Sequence, residues 1–268
     1  VYYVARGAES RKSRPWYALA VVACALGMAC KEVMVTAPVA VLVYDRVFLS
    51  RSWKELLRKR WAVHLGLFLT WAWLGLLMLR GVSERESVAG AYGGPLSWRY
   101  AVTQAGVILR YLRLSVWPRG LSVDYAWPTV ENVTAALPAL LVVSAAGIAV
   151  LWGLLRRSAL AFNGFFFFLV LAPTSSFIPR PDNAFEHRMY LPLAGVVAGL
   201  VLLCGCLLFR LGRNRHAVQR IAARVGLLTA ASVIVILGSL THVRNRLYAS
   251  EEALWADAAR KRPRNIRA

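Results

Sequence analysis

Apolar runs close to twenty residues long, separated by basic blocks, constrain the fold of this 268-residue chain more than any other feature. Hydrophobic residues make up 58% of the sequence and the mean hydropathy is +0.51, whereas soluble domains average about 45–50% apolar residues. A helix of ~20 apolar residues crosses the ~30 Å hydrocarbon core of a bilayer. The sequence therefore predicts an all-α, polytopic membrane protein whose core is a helix bundle.

The basic residues give the chain a net charge of +20, from 33 Lys and Arg against 13 Asp and Glu. They occur in blocks between apolar runs, whereas a nucleic-acid interface places basic residues along one face with interleaved aromatic residues. The pattern favours cytoplasmic loops and contact with anionic lipid head groups, and it argues against a nucleic-acid partner. The four cysteines lie in apolar runs without metal-ligand spacing. Asp182, Glu186 and His187 could in principle bind a divalent cation, but their spacing is not a strong ligand pattern, so we expect no metal site. We also expect no cofactor.

The basic flanks of the apolar runs predict seven membrane spans and an external C-terminus. The first two spans, 16–30 and 33–49, form a hairpin with Lys31 and Glu32 at its outer turn. The alternative is one helix over 16–44, but this helix would be ~43 Å long and would place two charges in mid-membrane. The other predicted spans are 61–79, 135–155, 159–177, 190–209 and 225–240, and the predicted cytoplasmic blocks are 6–14, 51–60, 156–157 and 210–224.

Residues 100–117 differ from the other apolar runs because they contain Arg110 and Arg113, and they lie between predicted outer loops at 81–99 and 118–134. The two arginines would cost ~5–7 kcal/mol at mid-bilayer, and the apolar residues return only ~2–4 kcal/mol. We therefore predict an amphipathic helix at the outer interface, with a spanning helix whose arginines face the bundle as the alternative. Its predicted apolar face comprises Ala105, Ile108, Leu109, Leu112 and Val116, and its predicted polar face comprises Thr103, Gly106, Arg110 and Arg113.

Three polar clusters fall on the same predicted outer face of the bundle. Ionisable groups at the mouth of a helix bundle are costly to desolvate, so they mark a functional site by default. The alternative is a set of solvated loops between helices, because such loops are commonly charged. The clusters are Lys31-Glu32, Asp124-Tyr125 and the Glu186-His187-Arg188 segment of the tract from Asp182 to Pro192.

The tail from residue 241 changes from apolar to polar composition. Ser250 is placed to cap a helix with apolar positions at 253, 254, 255, 258 and 259, which Pro263 ends. The spacing from Pro263 to Ala268 is typical of a junction into a tetratricopeptide repeat, and an ordinary juxtamembrane helix is the alternative. We therefore divide the chain into a membrane domain over 1–243 and the start of an extracytoplasmic repeat domain over 244–268.

Five tracts occur in an order that resembles a known family. They read ACKEVMVTAPVAVLVYDR, QAGVILRYLRL, LSVDYAWP, FEHRMYLP and SEEALWADAARKRPRN, and they cover nearly the whole chain. Together they resemble the bacterial relatives of the transmembrane and tetratricopeptide-repeat-containing protein O-mannosyltransferases. FEHRMYLP, which a membrane helix follows, is the most specific tract, and the order of the five carries the rest of the match.

The resemblance implies a GT-C glycosyltransferase fold around an extracytoplasmic active site, in the bacterial inner membrane. It implies transfer of mannose or a similar sugar from a polyprenyl-phosphate carrier to an acceptor protein, through a Ser or Thr hydroxyl, or to a glycan. It also implies that the acidic catalytic motif lies upstream of Val1. This chain would then be the C-terminal part of the membrane domain, without its general base and without activity of its own.

The chemistry of a lipid-phosphate donor suggests a role for each polar residue, because such a donor needs cations at its phosphate and proton transfer near its sugar. Arg188 can hold phosphate through two parallel hydrogen bonds, and Lys31 adds a point charge. His187 can donate to the leaving phosphate, while Glu186 orients His187 or binds a sugar hydroxyl. The predicted catalytic residues are Glu186 and His187, and the predicted substrate-binding residues are Lys31, Glu32, Asp124, Tyr125, Arg188 and Tyr190.

Two other classes of function fit the composition. A transporter also places charges inside a bundle, but it would show paired broken helices in two similar halves, and the sequence has no internal repeat. A non-catalytic anchor that presents repeats to a protein partner would tolerate loss of Glu186 and Arg188.

Overall fold

The computed structural model describes residues 1–92, 97–176, 182–211, 216–263 and 265 of the chain. Within these residues the regular secondary structure is helical, without a strand. Five of the described helices are long and apolar enough to cross a membrane, and the chain is therefore an all-α integral membrane protein. These candidate spans are Ser13–Cys30, Trp53–Leu79, Val133–Leu155, Pro192–Arg210 and Ala223–Ala249.

The other two predicted spans correspond to shorter helical segments. Residues 33–49 form a 3-10 turn, the helix α3 (Ala37–Tyr44) and a π-helical turn. The α7 helix (Ala159–Leu171) has 13 residues and a length of ~20 Å, and its predicted end at residue 177 lies outside the described residues. Seven spans therefore remain a prediction. The remaining helices are α1 (Tyr2–Glu9), α2 (Ser13–Cys30), α4 (Trp53–Tyr92), α5 (Trp98–Val116), α6 (Val133–Leu155), α8 (Pro192–Leu211), α9 (His216–Asn245) and α10 (Glu251–Lys261).

The chain reverses direction after α2, as the hairpin predicts. Lys31 has an extended backbone, with φ −154° and ψ 131°, and this ends α2 and excludes one helix over 16–44. α2 and α4 run parallel, because two contacts between them advance along both helices together. Gly66 of α4 packs against Val21 of α2, and four residues later the hydroxyl of Thr70 lies 3.4 Å from the sulfur of Cys24. The segment between them must therefore return across the bundle.

A buried ionic cluster joins this returning segment to α4. Asp45 is fully buried, and its carboxylate accepts two hydrogen bonds from Arg60, at 2.7 and 2.8 Å, and one of 2.6 Å from Ser50. The Nε2 atom of His64 lies 2.8 Å from the same carboxylate. Arg157, in the turn before α7, donates to the carbonyl of Ser50 at 2.7 Å. The cluster therefore fastens α4 and the α6–α7 turn to residues 45–50.

Two features of α4 were not predicted. Arg60, assigned to the cytoplasmic block 51–60, is buried, where the carboxylate of Asp45 compensates its charge, and α4 bends at its non-helical backbone. The helix also continues to Tyr92, so the outer loop predicted from residue 81 does not begin there.

The helix α5 packs by a different face from the one predicted. Ala105 and Ile108 are buried as expected, but Thr103, predicted on the polar face, is 0% exposed. Its hydroxyl donates to the carbonyl of Arg99 at 2.7 Å and accepts from the backbone amide of Val130 at 2.9 Å, which satisfies the buried hydroxyl. α5 is not among the candidate spans, and its position at the outer interface stays a prediction.

The tail helix α10 confirms the predicted cap. The Ser250 hydroxyl accepts a hydrogen bond from the backbone amide of Ala253 at 3.1 Å, and the helix ends at Lys261, two residues before Pro263. Residues 117–132, between α5 and α6, are irregular, close to the loop predicted over 118–134, and the outer position of this loop stays a prediction. The assignment of the tail to a repeat domain stays a prediction.

Candidate functional site

The segment between α7 and α8 is held against α5. The hydroxyl of Tyr111 donates to the carbonyl of Phe185 and accepts from its amide, both at 2.8 Å. Gln104 donates to the carbonyl of Asn183 at 3.1 Å, and Asn183 donates to the carbonyl of Trp127 at 2.8 Å. These contacts place the 3-10 turn Glu186–Met189 beside the loop 117–132, with α5 holding the turn.

Glu186 connects three parts of the chain. One carboxylate oxygen accepts from the Tyr125 hydroxyl at 2.6 Å and from the Ser122 amide at 2.9 Å. The other accepts from Arg244, at the end of α9, at 2.7 Å. Burial raises the pKa of Tyr125, and the hydrogen bond to Glu186 raises it further. The hydroxyl of Tyr125 therefore remains a donor.

Arg188 is held mainly by carbonyl groups. Its Nη2 atom donates to the carbonyl of Asp182 at 2.7 Å. Its Nη1 atom donates to the carbonyl of Asn183 at 3.2 Å, the hydroxyl of Tyr100 at 3.2 Å and the carbonyl of Thr174 at 3.4 Å. The guanidinium therefore links the end of α7 to the turn, and a bidentate phosphate contact would have to displace some of these bonds.

His187 is the exposed titratable group of the turn. Its ring lies 4.8 Å from the ring of Phe185. Partial burial lowers the pKa of His187, and the positive charges of Arg188 and Lys31 lower it further. Lys31 is also exposed. The structure thus brings the first and third predicted polar clusters within electrostatic range of each other.

The other predicted site residues have different environments. Asp124 is 5% exposed, and its carboxylate accepts from the Ala126 amide at 2.8 Å, where Ala126 adopts a positive φ of 41°. This contact shapes the loop that carries Tyr125. Tyr190 is 84% exposed. Glu32 begins a 3-10 turn beside Lys31, and its side chain lies outside the described part of the chain.

A cavity of about 650 Å³ lies between the loop 117–132 and the end of the tail. Lys261 donates to the carbonyl of Leu121 at 2.8 Å, and the guanidinium of Arg262 lies 5.3 Å from the ring centre of Tyr125. These tail contacts, like the contact from Arg244 to Glu186, were not predicted from the sequence. A basic residue after an apolar helix has the same local pattern whether it faces solvent or a distant carboxylate.

Among the described residues, no three His, Cys, Asp or Glu side chains are grouped so that they could hold a metal ion. Comparison with family models, curated proteins and solved structures finds no match to this chain. The function must therefore be argued from the residues and their geometry.

Proposed function

We propose that this chain is part of a membrane glycosyltransferase. It would move a sugar, mannose or a similar hexose, from a polyprenyl-phosphate carrier to a hydroxyl of an extracytoplasmic acceptor, such as a protein Ser or Thr. The observation that carries the proposal is the exposed His187 in the Glu186–Met189 turn, with the cations Arg188 and Lys31 close enough to lower its pKa. A GT-C-like bundle of seven spans, with this face outside a bacterial inner membrane, completes the proposal.

We assign a separate role to each of these residues. Lys31 is exposed, so its ammonium is free to approach a lipid phosphate as a point charge. The lowered pKa of His187 favours the neutral ring at pH 7, in which one ring nitrogen can accept a proton while the other donates. Arg188 holds the turn and presents positive charge to it, and Glu186 orients Tyr125.

A transfer assay tests this proposal on the intact protein, meaning the full-length protein that contains this chain, in proteoliposomes with a polyprenyl-phosphate-linked mannose. We expect His187→Ala to lower the transfer rate by about 100-fold, in the range of a lost proton-transfer group. His242→Ala, which removes an exposed histidine from the end of α9, is the matched control and should leave the rate unchanged. Equal rates for both variants would contradict the assignment.

A second candidate function is a non-catalytic anchor. It is favoured by the internal hydrogen bonds of Glu186 and Arg188, which are sufficient to explain both residues as parts of the fold. The same proteoliposomes separate the two functions. An anchor gives no sugar transfer with the wild-type protein, although the protein is folded.

A further inference from the structure

The cavity beside Tyr125 has the size of a ligand site and has not been used in the proposal above. Its volume of about 650 Å³ lies within the ~300–1,000 Å³ of pockets that bind small ligands or short segments of chain. One wall is the loop 125–130, and the other is the end of the tail. The described lining residues are Tyr125, Ala126, Trp127, Pro128, Thr129, Val130, Lys261, Arg262, Pro263 and Asn265.

The cavity has a basic end formed by Lys261 and Arg262. Lys261 is ion-paired with Asp257 at 2.6 Å, so Arg262 carries the charge that is left for a ligand. The guanidinium carbon of Arg262 lies 5.3 Å from the ring centre of Tyr125, in cation–π contact, and Arg262 forms no ion pair with the described carboxylates. A guanidinium without an ion-pair partner is suited to bind a carboxylate through its terminal N–H groups.

The rest of the lining is mostly apolar. Trp127, Pro128, Val130 and Pro263 provide surface for hydrophobic side chains. A carbohydrate site would need several side-chain acceptors for sugar hydroxyls, and the described lining offers one amide, Asn265, and the hydroxyls of Thr129 and Tyr125. The lining therefore suits a ligand that combines carboxylates with apolar groups.

We propose that this cavity binds an acidic, extended segment of the acceptor polypeptide, with a carboxylate at Arg262 and its apolar side chains on Trp127. This inference rests on the proposed function, because only a transferase has an acceptor. Tyr125 joins the two sites: its ring lines the cavity, and its hydroxyl donates to Glu186 at 2.6 Å. A segment bound here lies beside the turn that carries His187.

Peptide binding to the intact protein in neutral-lipid nanodiscs tests the inference. The probe is a short fluorescent peptide in which Glu and Leu alternate around one Ser, and the control peptide has Gln in place of Glu. We expect the Glu peptide to bind at least about tenfold more tightly, and Arg262→Gln to remove about tenfold of its affinity. Arg260→Gln, an exposed arginine of the same helix outside the cavity, should change affinity by less than about twofold.

A charge-reversal variant of Arg262 guards against a loss of binding that comes only from a destabilised protein. Arg262→Glu should weaken the Glu peptide and strengthen a peptide with Lys at the same positions. Equal effects of Arg260→Gln and Arg262→Gln would overturn the inference, since they would indicate only net charge. Binding of an acidic oligosaccharide or of anionic vesicles with the same dependence on Arg262 would also overturn it, in favour of a glycan or lipid site.

The peptide assay and the transfer assay can give opposite results, which separates the two proposals. Peptide binding with no sugar transfer would support the cavity as a peptide site and overturn the proposed function. Sugar transfer with no preference for the Glu peptide would support the proposed function and overturn this inference.

Discussion

The Nη2 atom of Arg244 lies 2.7 Å from one carboxylate oxygen of Glu186, which is 58 residues earlier in the chain. The other oxygen accepts from the hydroxyl of Tyr125 and the amide of Ser122. Because both oxygens are occupied, Glu186 is better placed to orient Tyr125 than to exchange protons with a substrate. The end of α9 thereby becomes a support for the candidate site.

A double-mutant cycle on Arg244 and Glu186 should detect this link. We expect Arg244→Gln and Glu186→Gln to interact by about 1 kcal/mol in the free energy of unfolding, because the pair is only partly exposed. Reversible unfolding in mixed micelles measures the four proteins. A second cycle that combines Arg244→Gln with Glu9→Gln, at an exposed position in α1, is the control. Its two changes in unfolding free energy should be additive. Additivity for Arg244 and Glu186 would show that the contact contributes nothing.

Arg188 should affect stability and donor binding together. Arg188→Ala removes hydrogen bonds to three carbonyls, and we expect it to lower the free energy of unfolding by about 2–3 kcal/mol. Arg188→Lys should recover only part of this, because an ammonium cannot reach the same acceptors in one plane. Thermal unfolding, together with binding of polyprenyl phosphate, checks the prediction. Reduced binding at unchanged stability would instead identify Arg188 as a direct phosphate ligand.

The pKa of His187 should respond to Lys31. Burial and the neighbouring cations hold it below the ordinary 6.5, so Lys31→Gln should move the pKa of His187 upward. NMR titration of the His187 ring, assigned with His187→Gln, measures the shift, and Lys12→Gln is the control. No shift with Lys31→Gln would contradict the approach of Lys31 to this turn.

The same lowered pKa has a consequence for stability. The unfolded chain binds a proton at position 187 at higher pH than the folded chain, so His187 makes stability fall as pH decreases below about 6.5. His187→Gln should therefore flatten the decrease in unfolding free energy between about pH 6.5 and 5. An identical decrease for the variant and the wild-type protein would argue against the lowered pKa.

The ionic cluster at Asp45 should be a major determinant of stability. Asp45→Asn leaves Arg60 buried with a neutral partner, and we expect a loss of about 3–5 kcal/mol in the free energy of unfolding. Lys59→Gln removes the exposed ion pair with Glu55 and should leave the free energy of unfolding almost unchanged. Equal losses for the two variants in the same micelles would mean that the cluster is not closed as described.

Local patterns predicted much of the fold. Hydropathy located five spans of sufficient length, the charge pair at Lys31 predicted the end of α2, and Ser250 predicted the start of α10. These features depend on neighbouring residues alone. The burial of Arg60 and Thr103 depends on partners in other segments, which a local pattern does not contain.

The sequence predicted which residues belong to the candidate site, but it did not predict which of them bond to each other. The sequence placed Lys31, Tyr125 and Glu186 on one face, and the structure adds that Glu186 binds Tyr125 and that Lys31 affects His187. It also shows Arg188 bonded to carbonyls, which its sequence neighbours do not indicate. The two loops meet in a core cluster in which Tyr111 of α5 packs with Tyr125 and Ala184, so their pairing could not be read from the loops themselves.

The initial rate of sugar transfer, measured against the concentration of polyprenyl-phosphate-linked mannose, tests the central claim most directly. The intact wild-type protein should transfer the sugar, and Lys31→Gln should raise KM for the donor by about tenfold, the effect of one lost charge-assisted contact to phosphate. Lys54→Gln, an exposed lysine near the start of α4, should leave KM unchanged. Absence of transfer by the wild-type protein, or equal KM values for both lysine variants, would contradict the account.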